Sequence, residues 1–198
     1  MKKLTALAYK EEARFIQFTG DMINGYLNDK KEMNLQYYNW KKAVEPFWHY
    51  MPYFVGMGNH EAFGHVFRDE EGNYQAFIDG FPYDTYSAES MFAENFINPE
   101  NGPISEDNNK YDPNPKRTDF PSYKENVFHY TYGNVAMIVL NSDYWYAPSV
   151  GNQPATSGGL HGYLLDNQMK WLRQVISEFE KDTDIDHVFV TQHTPIFP

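Results

Sequence analysis

Cysteine is absent from the 198 residues of the chain. Its absence excludes disulfide bonds and metal sites built on thiolates, so any metal must be held by oxygen and nitrogen ligands. Long apolar runs are lacking too, and no segment approaches the roughly 18 residues that a membrane-spanning helix needs. The basic start at Met1 is followed by charged residues from Lys10 onward, so we expect no signal peptide in this stretch.

Positive charge is scarce. The chain has 16 Lys and Arg against 27 Asp and Glu, which gives a formal net charge of -11. This balance argues against a nucleic-acid or membrane partner bound through bulk charge. It does not exclude a local site for anions, because a bound metal ion can dominate the field around it. The length predicts one domain over residues 1–198.

Short apolar runs alternate with helical patterns along the chain, which predicts the α/β class. The expected strands cover residues 14–19, 53–55, 126–132, 134–140 and 187–191. The expected helices cover residues 4–13, 31–47, 87–96 and 165–181, the second of them ending at Pro46 or Pro52. Strand, helix and strand over residues 14–55 form a βαβ unit.

Residues 62–123 form the least regular segment, with six prolines and many Asn, Asp and Gly residues. It is too long for an ordinary connection between two elements. Its many aromatic residues indicate packing rather than disorder. We therefore predict an insertion that caps the domain or lies on the substrate side of a site.

Three β-like runs end in polar residues. These ends are Gly20-Asp21, Gly58-Asn59-His60-Glu61, and His193 with Pro195 two residues later. In an open α/β sheet, ligands bind beyond the carboxyl ends of the strands. A carboxylate, an amide and imidazoles delivered there predict a single site, most economically a metal site.

In this order, the three motifs resemble the calcineurin-like metallophosphoesterase superfamily. The resemblance spans most of the chain and implies an α+β sandwich of two mixed sheets flanked by helices. It also implies two divalent metal ions (Mn, Fe or Zn), as in two-metal hydrolases. The residues of the second and third motifs are most similar to those of the purple-acid-phosphatase branch. However, Asn24 stands where that branch has its iron-binding Tyr, so a ferric site is not expected.

The resemblance also assigns roles to residues. Asp21 would bridge the two ions, and Asn59 and His193 would ligate the second ion. His60 would act as the catalytic group on the leaving oxygen, with Glu61 orienting it. Independently of the resemblance, His65, shortly after Glu61, and His161, in a Gly-rich loop before a helix, could reach substrate, although a structural role is the first expectation for both. The remaining histidines, at 49, 129 and 187, are expected to be packing or surface residues.

Two further motifs of that superfamily, Asp-x-His before Gly-Asp and Gly-His-x-His after the strand-end His, do not occur in the chain. We therefore expect a fragment of a longer domain, metal-free or partly loaded and poorly active, because three ligands alone bind a metal weakly. The richness in Tyr, Asn, Trp and Pro suits an exported bacterial protein, periplasmic or extracellular.

The predicted function is hydrolysis of a small phosphate monoester or diester, with neither nucleic acid nor membrane as partner. The alternative is a non-catalytic module that binds carbohydrate or another surface ligand through its aromatic residues, which make up 18% of the chain. A nuclease of the same superfamily is a third possibility, which the acidic charge disfavours.

Overall fold

The computed structural model describes residues 1–25, 30–62, 65–68, 74–77, 82–110, 112, 114–144 and 162–195, with the backbone alone for residues 62, 65–68, 74–77 and 86. The helices are α1 Lys2–Lys10, α2 Lys30–Trp48, α3 Asn59–Ala62, α4 Tyr83–Tyr86, α5 Ala88–Asn95 and α6 Asp166–Phe179. The strands are β1 Ile16–Phe18, β2 Tyr53–Val55, β3 His65–Arg68, β4 Tyr74–Phe77, β5 Phe128–Tyr132, β6 Val135–Val139 and β7 His187–Thr191. The predicted mixed α/β class is confirmed.

β1, α2 and β2 form the predicted βαβ unit. The two strands pair in parallel, with Ile16 opposite Tyr53 and Phe18 opposite Val55. Parallel pairing brings both carboxyl ends to the same edge, and the Gly56 N–H donates to the Phe18 carbonyl there at 2.8 Å. The loop after β1 therefore lies beside the loop after β2.

The apolar stripe of α2 is buried as its spacing predicts. Met33, Tyr37 and Val44 are fully buried, and Trp40 is nearly so. Burying an aliphatic or aromatic side chain of this size contributes about 1.5–3 kcal/mol. Pro46 does not end the helix, which continues to Trp48. Because proline has no backbone N–H, α2 lacks one hydrogen bond in its last turn.

β5, β6 and β7 form a mixed sheet. β5 and β6 make the predicted hairpin through Gly133, whose φ of +58° suits glycine, and β7 pairs with β6 in parallel. Residues 136–140 are buried, as the apolar run predicts. Since Val139 lies opposite Thr191, the residues that follow β6 and β7 share one edge.

Within the described residues there are three sheets, of which only β5–β6–β7 is mixed, and not two mixed sheets as predicted. The β1–β2 pair packs on the three-stranded sheet. The rings of Phe54 and Tyr130 stack with centroids 3.7 Å apart, and the Tyr130 hydroxyl donates to Gln17 Oε1 at 3.0 Å. Gly56 also lies against Val139, so the carboxyl ends of β2 and β6 are neighbours.

The insertion over residues 62–123 contains the β3–β4 hairpin, α4 and α5 among its described residues. The short helix predicted over residues 87–96 is confirmed as α5, and Ser87 caps it by accepting the Ser90 N–H at 3.0 Å. Phe92 and Phe96 pack into the same core as α2. No described helix is long and apolar enough to cross a lipid bilayer.

Acidification from pH 7 to pH 5 is expected to destabilise the fold through His129. Its ring packs edge-on against Phe179 at 5.2 Å, and burial lowers its pKa from 6.5 despite an opposing effect of Glu178. As the pH falls below about 6.5, the unfolded chain takes up the proton first, so the stability contributed by the neutral ring is lost. Melting curves of His129→Phe should depend less on pH than those of the wild type.

The exposed His49 supplies the control for this experiment, because His49→Gln removes an imidazole that is not part of the core. Its melting curves should keep the pH dependence of the wild type. Equal pH dependence in the wild type and in His129→Phe would contradict the assignment to His129.

Candidate functional site

The site lies where the loops after β1, β2 and β7 meet. Gly20 and Gly58 let the first two loops touch, because a Cβ on Gly20 would overlap the backbone of Gly58. A Cβ on Gly58 would in turn lie 2.5 Å from Asp21 Oδ1 and 2.9 Å from His193 Cγ. Both glycines are therefore required for the close approach that forms the site.

Asp21, Asn59 and His193 come together at this point. His193 Nε2 lies 3.0 Å from Asn59 Oδ1 and 3.3 Å from Asp21 Oδ1. The side chains of Asp21 and His193 keep 35% and 21% of their surface accessible, so solutes can reach them. The structure thus brings together the three residues predicted as metal ligands, while their role as ligands stays a prediction.

The hydrogen bonds of His193 indicate which of its ring nitrogens carries the proton. Its Nδ1 lies 3.1 Å from the carbonyl oxygen of Thr19, which can only accept, so Nδ1 carries the hydrogen. In the neutral ring, Nε2 then holds a lone pair facing the oxygens of Asn59 and Asp21, which hold lone pairs too. Such atoms repel one another unless a proton on Nε2 or a metal cation lies among them.

A divalent metal ion fits this arrangement. Metal-ligating histidines almost always donate their other ring N–H to a carbonyl or a carboxylate, as His193 does to Thr19. Ligands about 2.1 Å from a common ion lie roughly 3 Å from each other. Across the described residues, no group of three or more His, Cys, Asp or Glu side chains could hold a metal ion. At this site the third ligand would be the amide of Asn59, beside Asp21 and His193.

His60 lies beside the trio. Its Nδ1 is 2.5 Å from the carbonyl oxygen of Asn24, so this nitrogen also carries the hydrogen, and Nε2 lies 3.9 Å from Asp21 Oδ2. Its backbone N–H donates to Asp21 Oδ1 at 3.2 Å. The ring keeps 26% of its side-chain surface accessible, so Nε2 is placed at the edge of the site and can exchange a proton with a bound molecule.

Glu61 is buried, and its partners are backbone groups that the sequence does not reveal. Its buried carboxylate accepts backbone N–H groups from Asp21 (2.6 Å), Met22 (2.6 Å), Ile23 (3.2 Å) and Gly58 (2.8 Å), while the predicted role of orienting His60 stays a prediction. Burial raises the pKa of Glu61, and the N–H groups of Gly58, Asp21 and Ile23 oppose that rise. Glu61 thereby fixes the loop that carries Asp21.

Asp21 needs this support because its backbone has a φ of +58°, which is unfavourable for residues other than glycine. Gly20 before it has a φ of +115°. Two successive residues with positive φ turn the N–H groups of the loop toward the Glu61 carboxylate. The strained turn and the buried acceptor hold each other in place.

The other histidines have varied positions. His161 lies outside the described residues, and His65 lies in β3, where only the backbone is described. His49 and His187 are exposed, and His129 packs beside α6, in agreement with the packing or surface roles expected for them. None of these three borders the site described above.

Sequence reasoning missed three partners of the site. Two are backbone carbonyls, those of Thr19 and Asn24, which no side-chain pattern reveals. The third is Asp143, which bonds the residue after His193. It could have been found, since Asn141-Ser142-Asp143 follows a buried strand just as the predicted ligands do.

Comparison with models of known protein families, with curated proteins and with solved structures found no match for this chain. What the site can do therefore follows from its own donor atoms and their surroundings.

Proposed function

We propose that the chain is the metal-binding core of a metal-dependent phosphoester hydrolase, built on the metallophosphoesterase fold. Asp21, Asn59 and His193 would hold a divalent cation, and His60 would serve as the catalytic proton donor. The observation that carries this proposal is the meeting of three lone-pair atoms, with His193 Nε2 at 3.0 Å and 3.3 Å from two oxygens. Carboxylate, amide and imidazole ligands suit Mn, Fe or Zn.

The substrate class comes from the resemblance to the metallophosphoesterases, and the charge of the chain is compatible with it once a cation is bound. The chain is acidic overall, and an anion would be repelled from an unloaded site containing Asp21. When bound, the cation supplies Lewis-acid chemistry and offsets the negative charge of a phosphate group. A small phosphate monoester or diester, the substrate class that the resemblance implies, is the proposed substrate.

His60 would serve as the proton donor to the leaving oxygen. Its Nδ1–H is committed to the Asn24 carbonyl, so the proton to be transferred must reside on Nε2. Imidazole is the side chain that gains and loses a proton near neutral pH.

Calorimetry with Mn²⁺ and turnover of p-nitrophenyl phosphate test the proposal together. We expect Asp21→Ala and His193→Ala to weaken Mn²⁺ binding by at least about 100-fold, because each removes a direct ligand. His60→Ala should keep Mn²⁺ binding and lower the weak activity expected of this chain by about 100-fold or more, because general-acid catalysis contributes on that scale. The exposed His49→Ala is the matched control for both measurements.

Two outcomes would overturn the proposal. One is a wild-type chain that binds no Mn²⁺ even weakly, which would favour the non-catalytic binding module. The other is Mn²⁺ binding that survives both Asp21→Ala and His193→Ala, which would place the cation elsewhere.

A further inference from the structure

Asp143 lies at the carboxyl end of β6, at the same sheet edge as His193. Its carboxylate is fully buried, and Thr194 Oγ1 lies 3.2 Å from each of its two oxygens. The Ser142 hydroxyl donates to Asp143 Oδ2 at 2.9 Å. A buried carboxylate is stable only with such donors around it, so the Thr194 hydroxyl is directed at Asp143.

Thr194 is held by its backbone as well. Its N–H donates to Ser142 Oγ at 3.1 Å, and the Leu140 N–H donates to the Thr191 carbonyl at 2.9 Å just before it. Backbone and hydroxyl of the residue after His193 are thus both bonded to the loop after β6. The His193 ring faces the other side of the site, where Nδ1 donates to the Thr19 carbonyl and Nε2 lies 3.0 Å from Asn59 Oδ1 and 3.3 Å from Asp21 Oδ1.

We propose that Asp143, acting through Thr194, is a positioning residue for His193. The inference rests on the proposed function, since a cation needs the imidazole at a defined place. Two anchors define that place: the Thr19 carbonyl fixes the ring at Nδ1, and the Asp143–Thr194 pair fixes the backbone that carries the ring. Partners of this kind, one step removed from a metal, commonly change affinity by 10- to 100-fold when they are lost.

Two substitutions at one position test the proposal. Thr194→Val keeps the shape of the side chain but removes the hydroxyl, and it should raise the Kd for Mn²⁺ about 10- to 100-fold. Thr194→Ser keeps the hydroxyl and should restore a Kd within about threefold of the wild type. Thr131→Val, at an exposed position in β5, is the control and should not change the Kd.

A second measurement needs no metal. Long-range ¹H–¹⁵N spectra of the metal-free protein report the surroundings of the His193 imidazole, and its resonances should shift in Thr194→Val and return in Thr194→Ser. If Asp143 acts only through Thr194, the double variant Asp143→Asn/Thr194→Val should bind Mn²⁺ no more weakly than the weaker of the two single variants.

These measurements separate the two proposals. Unchanged His193 resonances in Thr194→Val would overturn the positioning role whether or not Mn²⁺ binds. Shifted resonances in a chain that binds no Mn²⁺ would support the positioning role while the proposed function fails. Shifted resonances with a raised Kd support both.

Discussion

Glu61→Gln is expected to lower the free energy of unfolding by about 3 kcal/mol. In the wild type, buried backbone N–H groups donate to the Glu61 carboxylate, whereas the NH₂ group of a Gln cannot accept and would leave some of them without an acceptor. The carboxylate accepts four of these groups, from residues 21, 22, 23 and 58, and it is fully buried. For a chain of this size the loss corresponds to a fall of roughly 10 °C in Tm.

The same substitution should weaken Mn²⁺ binding, since the positive φ of Asp21 loses its support. Glu94→Gln removes a charge of the same kind from an exposed position in α5, and it should change stability by no more than about 0.5 kcal/mol. Thermal and denaturant unfolding of both variants decide the matter. A Glu61→Gln variant as stable as Glu94→Gln would show that the buried carboxylate does not hold the loop.

Gly58→Ala is expected to weaken Mn²⁺ binding by about 100-fold, the scale associated with a 1 Å misplacement of reacting groups. The new Cβ would lie 2.5 Å from Asp21 Oδ1, 2.8 Å from the Asp21 nitrogen and 2.9 Å from His193 Cγ. The loops that carry these two residues must therefore move apart. Overpacking of this kind should also cost about 2 kcal/mol of stability.

Gly133→Ala is the matched control. Gly133 turns the β5–β6 hairpin with a φ of +58°, and a Cβ there meets nothing within 4 Å. We expect a loss of about 1 kcal/mol from backbone strain and no change in Mn²⁺ affinity. Calorimetry that finds equal affinity for Gly58→Ala and the wild type would contradict the close approach of the two loops.

Local periodicity predicted most helices and strands, because an element that buries one face repeats its apolar residues with the period of that element. The stripe of α2 and the short helix α5 are examples, and both pack into one core. The end of α2 was harder, since Pro46 is compatible with the last turn of a helix as well as with its termination.

The site was predictable in part. Asp21 and Asn59 follow strands that pair in parallel, so the strand-end rule brings them together. His193 follows a strand of another sheet, and its approach depends on how β1–β2 packs on β5–β7, for instance through Phe54 and Tyr130. Spacing within the chain does not encode that packing.

The position of Glu61 shows what a motif leaves out. The sequence places it beside His60 and suggests that the two interact, but the carboxylate meets backbone N–H groups about 40 positions earlier. Any residue type except proline could supply those N–H groups, so no side-chain pattern marks them. Only the fold of the Gly20-Asp21 turn, with its positive φ angles, directs them to Glu61.

The contact between Thr19 and His193 joins positions 174 residues apart. The proposed cation would link the loops that follow β1 and β7, so an unfolded or half-folded chain would lack the assembled site. The entire binding free energy of the cation then favours the complete fold, by about 2.7 kcal/mol at a free concentration of 100 times Kd. The supply of metal would thus govern how long the whole chain resists heat and proteases, in addition to any role in chemistry.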